Sequence, residues 1–248
     1  MLFRSGSAPA QEPGTIRVIC SNVIKGAVDK LVPQFERTSG KRVVLKMGAS
    51  AELKTAIEKG ESFDLALLTT GVVEDLTKQG RLAAGTRVDI AESNLGVGAK
   101  AGAANADPTT PEGMKRLLLS AKSITYSKAG GGVPAILRMI QELGIAEQIQ
   151  AKTFPQDAAG RAGESVANGE YEIAFAPVTE IIEAKGAKVL GLFPKQFQSP
   201  LAISSAISAQ PANRAGAEAL AKFLVASQSL KVIEETGMTL TYNAGSPR

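Results

Sequence analysis

VICSNVIKGAVDKLVPQF, residues 18–35, joins a short apolar strand to an amphipathic helix through the small polar loop Ser21-Asn22. Two further stretches repeat this grammar: VVLKMGAS (43–50) runs into AELKTAIEKG (51–60), and ITYSKAGGG (124–132) runs into VPAILRMIQELG (133–144). Loops of small residues at helix starts expose backbone N–H groups, and the aligned peptide dipoles favour negative charge there. The pattern predicts an anion site before it predicts any catalyst.

Working outward, a helix over 25–37 places Ala27, Val28, Leu31, Val32 and Phe35 at helical spacing, and Ser39-Gly40 ends it. A strand over 43–47 follows, with Ser50 as the N-cap of a helix that buries Leu53, Ala56 and Ile57. A strand over 63–68, ended by Thr69-Thr70-Gly71, leads into a helix over 72–79. Apolar strands alternating with helices predict a parallel sheet covered on both faces. RVDIAESNLGVGA (87–99) is long and extended with no tight helix after it, and reads as a crossover strand leaving a first lobe. Beyond it come a helix from Thr110 or Pro111 to about 121, the 124 strand with its helix, a strand around Phe154 and a short helix over 161–168. The strand YEIAFAP (171–177) opens a helix over 181–185, and a short strand covers 189–192. PLAISSAISA (200–209) reads as a second crossover that returns the chain, with helices over 215–227 and from 230.

The totals narrow the function classes. A chain of 248 residues with 44% hydrophobic content suits one or two lobes with real cores, and no run is long enough to span a bilayer, so membrane insertion is not expected. The net charge of +4 is scattered and aromatics make up only 4%, which argues against a nucleic-acid partner and suits a small acidic ligand. Cys20 is alone, so no internal disulfide forms, and its place at the end of an apolar strand predicts a buried structural thiol. There is no histidine, which removes Ser-His and Cys-His triads and His-ligated metal sites. Residues 1–15 read as a disordered lead-in without the apolar core of a secretory signal; residues 8–10 are similar to the tail of a signal-peptidase site, with an ordinary ragged terminus as the alternative.

Individual residues carry paired readings. Lys128, before the glycine run, is a carboxylate partner or a solvated loop lysine; Lys46, interrupting an apolar strand, is a cleft cation or a strand-edge lysine. Arg161 offers a two-pronged carboxylate contact or a solvated helix start. Thr69 and Thr70 lie at a strand's carboxyl end, where α/β clefts collect ligands, although turn chemistry also accounts for them. The triple glycine 130–132 favours close approach to a ligand.

The order of these motifs resembles the periplasmic molybdate-binding protein family, within the type II solute-binding proteins of ABC importers. The matching segments are SNVIKGAVDKLVPQFERTSGKRV, MGASAELKTAIEKGESFDLALLT, SNLGVGAKAG, ITYSKAGGGVPAILRMIQELGI, VANGEYEIAFAPVTEI and ANRAGAEALAKFLVAS. The resemblance implies two α/β lobes, each with a mostly parallel sheet flanked by helices, joined by two crossover strands with ligand between them. Lobe one would comprise 16–89 with 201–248, and lobe two 90–200. It also implies an oxyanion held by Ser21 and Asn22, by Ala49 and Ser50, by Gly131, Gly132 and Val133, and by Val178, without metal or cofactor. An exported location and an importer's membrane subunits as partner come with the family.

The pattern departs from that family at Pro177-Val178-Thr179, where molybdate binders carry a tyrosine nearby, and at the bulkier Asn22. The chain also resembles the aconitate isomerase branch of the superfamily, so a binding protein for a small oxyanion or carboxylate stands beside an isomerase that moves a double bond in a tricarboxylate. An isomerase needs a base. Lys46, Lys128, Glu180, Tyr126 and the Cys20 thiolate are the candidates, spacing assigns none of them, and Glu180 is expected to face solvent.

Overall fold

A computed structural model describes residues 14–158 and 160–242. The expected lead-in and residues 8–10 lie outside the described residues, apart from Gly14 and Thr15, and Thr15 already opens the first strand.

The described chain builds two sheets. The first is assembled from β1 (Thr15–Ser21), β2 (Arg42–Gly48), β3 (Leu65–Thr69), β4 (Val88–Ser93), β10 (Leu201–Ile207) and β11 (Thr239–Leu240), in the order β11-β4-β10-β3-β1-β2. The second holds β5 (Leu95–Lys100), β6 (Ile124–Ser127), β7 (Thr153–Gln156), β8 (Ile173–Pro177) and β9 (Ala187–Leu192), in the order β7-β6-β8-β5-β9. β1 runs parallel to β2 and β3, and β6 runs parallel to β7 and β8. The antiparallel pairings are those of β10 with β3 and β4, of β11 with β4, and of β5 with β8 and β9.

Helices α1 (Lys25–Ser39), α2 (Ser50–Glu58) and α3 (Thr70–Lys78) cover the first sheet with α9 (Arg214–Leu224) and α10 (Ser227–Glu234). The second carries α4 (Pro111–Ser120), α5 (Val133–Glu142), α6 (Ala146–Gln150), α7 (Ala162–Ala167) and α8 (Val178–Glu183). Periodicity does what it should: α1 buries Ala27, Val28, Leu31, Val32 and Phe35, and Phe35 tilts against Phe223 of α9 at 5.4 Å between ring centres. This is the two-lobed, mixed α/β architecture expected from the sequence.

The structure differs from expectation in its details. The extended run 87–99 is not one strand: β4 stays in the first sheet to Ser93, and the chain changes sheets at Asn94, where β5 begins in the second. Pairing decides this, since β4 completes a ladder with β10 while β5 completes one with β8. Ser50 is not the cap of α2. Ala49, with extended backbone, takes that place, and Glu52 Oε2 accepts from its N–H at 3.3 Å. Helix α8 starts at Val178, directly after Pro177, three residues before the expected start, and α6 and β11 carry no signal strong enough to be foreseen.

Two polar devices fasten the architecture. Asp64, fully buried, accepts from the N–H groups of Arg17 and Asn213, both at 2.8 Å, and ties β1 to the loop before α9. Gln198, in the second connector, grips the first: the Leu95 N–H donates to its Oε1 at 3.1 Å, and its Nε2 donates to the Leu95 carbonyl at 2.8 Å.

Candidate functional site: a cleft between the two sheets

The carboxyl ends of the parallel strands in both sheets open onto one cleft, which encloses about 150 Å³. From the first sheet come Ser21 and Asn22 after β1, Ala49, Ser50 and Ala51 at the start of α2, and Thr69 before α3. From the second come Ser127 at the end of β6, the loop Ala129 to Gly132 with Val133 of α5, and Pro177 and Glu180 around the start of α8. Phe175, Ile136 and Leu201 close the floor with apolar surface. The strand–loop–helix grammar thus brings together all three of the loops that announced it.

Local chemistry fixes these donors. The Ser21 hydroxyl accepts from the Val23 N–H at 3.4 Å, so it holds its own loop while facing the cleft. Ser50 Oγ accepts from the Thr69 N–H at 3.0 Å and thereby couples two adjoining loops. Ser127 Oγ is buried without a hydrogen-bond partner among the described residues, and it lines the same cleft. A buried hydroxyl left open is a standing demand for a partner.

The expected site residues divide plainly. Ser21, Asn22, Ala49, Ser50, Gly131, Gly132 and Val133 line the cleft. Thr70 does not: its hydroxyl pairs with Ser204 Oγ at 2.7 Å, and Thr69 takes the lining position. Val178 lies outside the lining as well, since its N–H donates to the Asn94 carbonyl at 2.9 Å and its side chain packs beside Gly96. Lys128 pairs with Asp157 at 2.8 Å in solvent, and Lys46, on edge strand β2, pairs with Glu61 at 2.6 Å. Neither lysine lines the cleft. Arg161 borders a second cavity of about 280 Å³ that adjoins the cleft through Asn22, Gly160 and Glu180.

The glycine run is small for a reason the sequence did not show. A Cβ on Gly132 would lie 2.6 Å from Leu95 Cδ2, and one on Gly131 would lie 3.1 Å from Leu201 Cδ2. The loop is packed against the first residues of both crossing strands. Gly160, left-handed at φ +76°, presses on the Asn22 amide from the opposite sheet, where a Cβ would come within 2.7 Å.

Glu180 overturns its expectation. It faces the cleft rather than solvent, and it is the only titratable side chain lining the cleft among the described residues. Burial first, and the charge of Glu183 second, push its carboxyl up to about 7. Of the other candidate bases, Cys20 is fully buried and its thiol is held far above the ordinary range, chiefly by desolvation, while Tyr126 is buried and raised for the same reason.

Backbone amides and side-chain hydroxyls from two α/β lobes converge on one cleft, the architecture of a two-lobed solute-binding protein. The family model for bacterial extracellular solute-binding proteins matches residues 16–239, and the chain belongs to that family. It is 26% identical over 236 residues to aconitate isomerase of Pseudomonas sp, covering 92% of this chain and 89% of the relative. It is 23% identical over 239 residues to the molybdate-binding protein ModA of Azotobacter vinelandii, covering 94% and 93%. The solved periplasmic molybdate-binding protein of Azotobacter vinelandii superposes with a TM-score of 0.75 at 20% identity, covering 91% of this chain and 99% of that one. No helix among the described residues is long and apolar enough to cross a membrane.

Proposed function

We propose that this chain is an exported solute-binding protein that captures a small oxyanion or organic carboxylate in the cleft and hands it to an ABC importer. The observation that carries this reading is the meeting of Ser21, Ser50, Ser127 and the Gly131-Gly132 backbone at one cleft. Each charge-assisted hydrogen bond is worth roughly 1.5–3 kcal/mol, so four or five suffice for about micromolar binding after association costs. The lobes that close would be the one carrying the first sheet, up to Ser93 and again from Leu201, and the one carrying the second sheet, from Leu95 to Leu192, turning about the connectors; the expected boundary at 89/90 would cut β4 in two. Closure is driven by the contacts the guest gains with the second lobe. A thermal-shift and calorimetry screen over molybdate, sulfate and di- and tricarboxylates tests it. One anion is expected to raise the melting temperature, by the equivalent of about 2.7 kcal/mol at 100 times its Kd. A screen in which nothing shifts removes the reading.

A second reading, an isomerase acting on aconitate-like acids, is favoured by Glu180. An allylic shift needs one group to take a proton from carbon beside the double bond, hold it while the electron pair delocalises towards the carboxylates, and return it at the far carbon. Glu180, poised at about 7, suits that task. Incubation with trans-aconitate, followed by chromatography for the cis isomer, decides it: turnover supports the isomerase, and unchanged substrate defeats it.

A further inference from the structure

We propose that Glu180 meets the captured anion as a neutral carboxylic acid, so that filling the cleft takes up a proton and Glu180 sets the pH range in which capture works. This rests on the reading of the cleft as an anion site. Three observations carry it. Glu180 is the one titratable side chain among the described lining residues, and the rest are hydroxyl, amide, glycine and apolar surface. It stands with Asn22 and Gly160 where the cleft joins the second cavity, so its carboxyl borders both. No hydrogen bond or ion pair with another described residue engages that carboxyl, on which only the charge of Glu183 acts, whereas Lys25 and Arg161, which line the second cavity with it, face carboxylates of their own.

Those groups come from every element packed on α8. On α8 itself, Glu183 reaches across to the first lobe and accepts from the Gly26 N–H at the start of α1. From α1, Lys25 pairs with Asp29, while Lys30 acts on Glu183. At α7, Arg161 stands 3.8 Å from Glu164. Lys100 of β5 lies beside Gly169, and Lys188 of β9 donates to the Ala103 carbonyl at 2.6 Å and to Asn105 Oδ1 at 3.1 Å. β8 and the turn at 22–24 bring no charge.

No cation among the described residues therefore offsets Glu180, and an arriving anion adds a second like charge in a confined space. An ionised Glu180 would repel the guest. As an acid it becomes one more donor, with its O–H directed at an anionic oxygen in a strong, charge-assisted bond. The proton comes from solvent, and no bond to carbon changes in this step.

Isothermal titration calorimetry with sulfate, molybdate and trans-aconitate, none of which titrates between pH 6 and 9, tests the proposal in buffers of differing ionisation enthalpy. The protonated fraction of a group titrating at about 7 falls from about nine-tenths at pH 6 to about one-hundredth at pH 9, so the best-bound probe is expected to weaken about 100-fold across that range. At pH 8 close to one proton should enter per anion bound. Glu180→Gln should bind with flat pH dependence and no proton uptake, with circular dichroism reporting its fold. Glu183→Gln, which removes the neighbouring charge, should keep the uptake and move its midpoint to lower pH. Flat wild-type affinity, uptake persisting in Glu180→Gln, or an unmoved midpoint in Glu183→Gln overturns the proposal. Proton release on binding also overturns it. Failure of every probe to bind at any pH removes the anion-site reading and this proposal with it, whereas binding without proton linkage removes the proposal alone.

Discussion

Ser50 shows how one hydroxyl serves the fold and the cleft together. Its Oγ receives the Thr69 N–H, so Ser50→Ala leaves that donor without its partner at the cleft edge. We expect a stability loss of about 1 kcal/mol by urea denaturation and about tenfold weaker anion binding, since one lost donor of this kind removes about 1.4 kcal/mol. Glu180 makes a prediction of opposite character. The folded chain keeps on Glu180 a proton that the unfolded chain sheds near the ordinary value of 4.5. Stability from this group therefore falls as pH rises from about 4.5 to 7 and is level above. Melting curves should show wild type losing ground to Glu180→Gln between pH 5 and pH 8; parallel curves would refute it. Side-chain type told less at this scale than address. Ser127 was legible in principle, because it ends strand β6 as Ser21 ends β1, in the same grammar. Glu180 was not, because a helix start moved by three residues turns a solvent-facing glutamate into the cleft.

At the scale of elements, apolar periodicity predicted the helices that pack on the sheets well, since burying one stripe is what a 3.6-residue repeat does. It predicted poorly wherever partners distant in sequence decide. The division of 87–99 into β4 and β5 follows from ladders with β10 and β8, about 80 or more residues away, and β11 is two residues that exist only because β4 offers an edge. Asp64 belongs to this class of long-range terms. Its two buried bonds join segments 47 and 149 residues away, so Asp64→Ala should cost about 3 kcal/mol in chemical denaturation by stranding both N–H groups. A cost below about 1 kcal/mol would mean that water reaches the site.

For the whole molecule, the two-lobed plan was legible because alternating strands and helices, interrupted twice by extended runs, admit few other arrangements. The glycine run was read as room for a guest; it lines the cleft, and it also makes room for Leu95 and Leu201 where the chain passes between sheets. The mouth of the cleft and the crossing are therefore one packed unit. The bonds from Gln198 to Leu95 complete that unit, and Gln198→Ala should both destabilise the chain by about 1–3 kcal/mol and raise the ligand-free radius of gyration seen by solution scattering. An unchanged radius would mean that the glutamine adds stability without restraining the lobes. Because one side-chain amide holds both the N–H and the carbonyl of Leu95, sliding the connectors past each other would break two bonds at once. Under the closure proposed above, that pairing would bar the two walls from shearing past each other, so that they meet in the same register each time they shut.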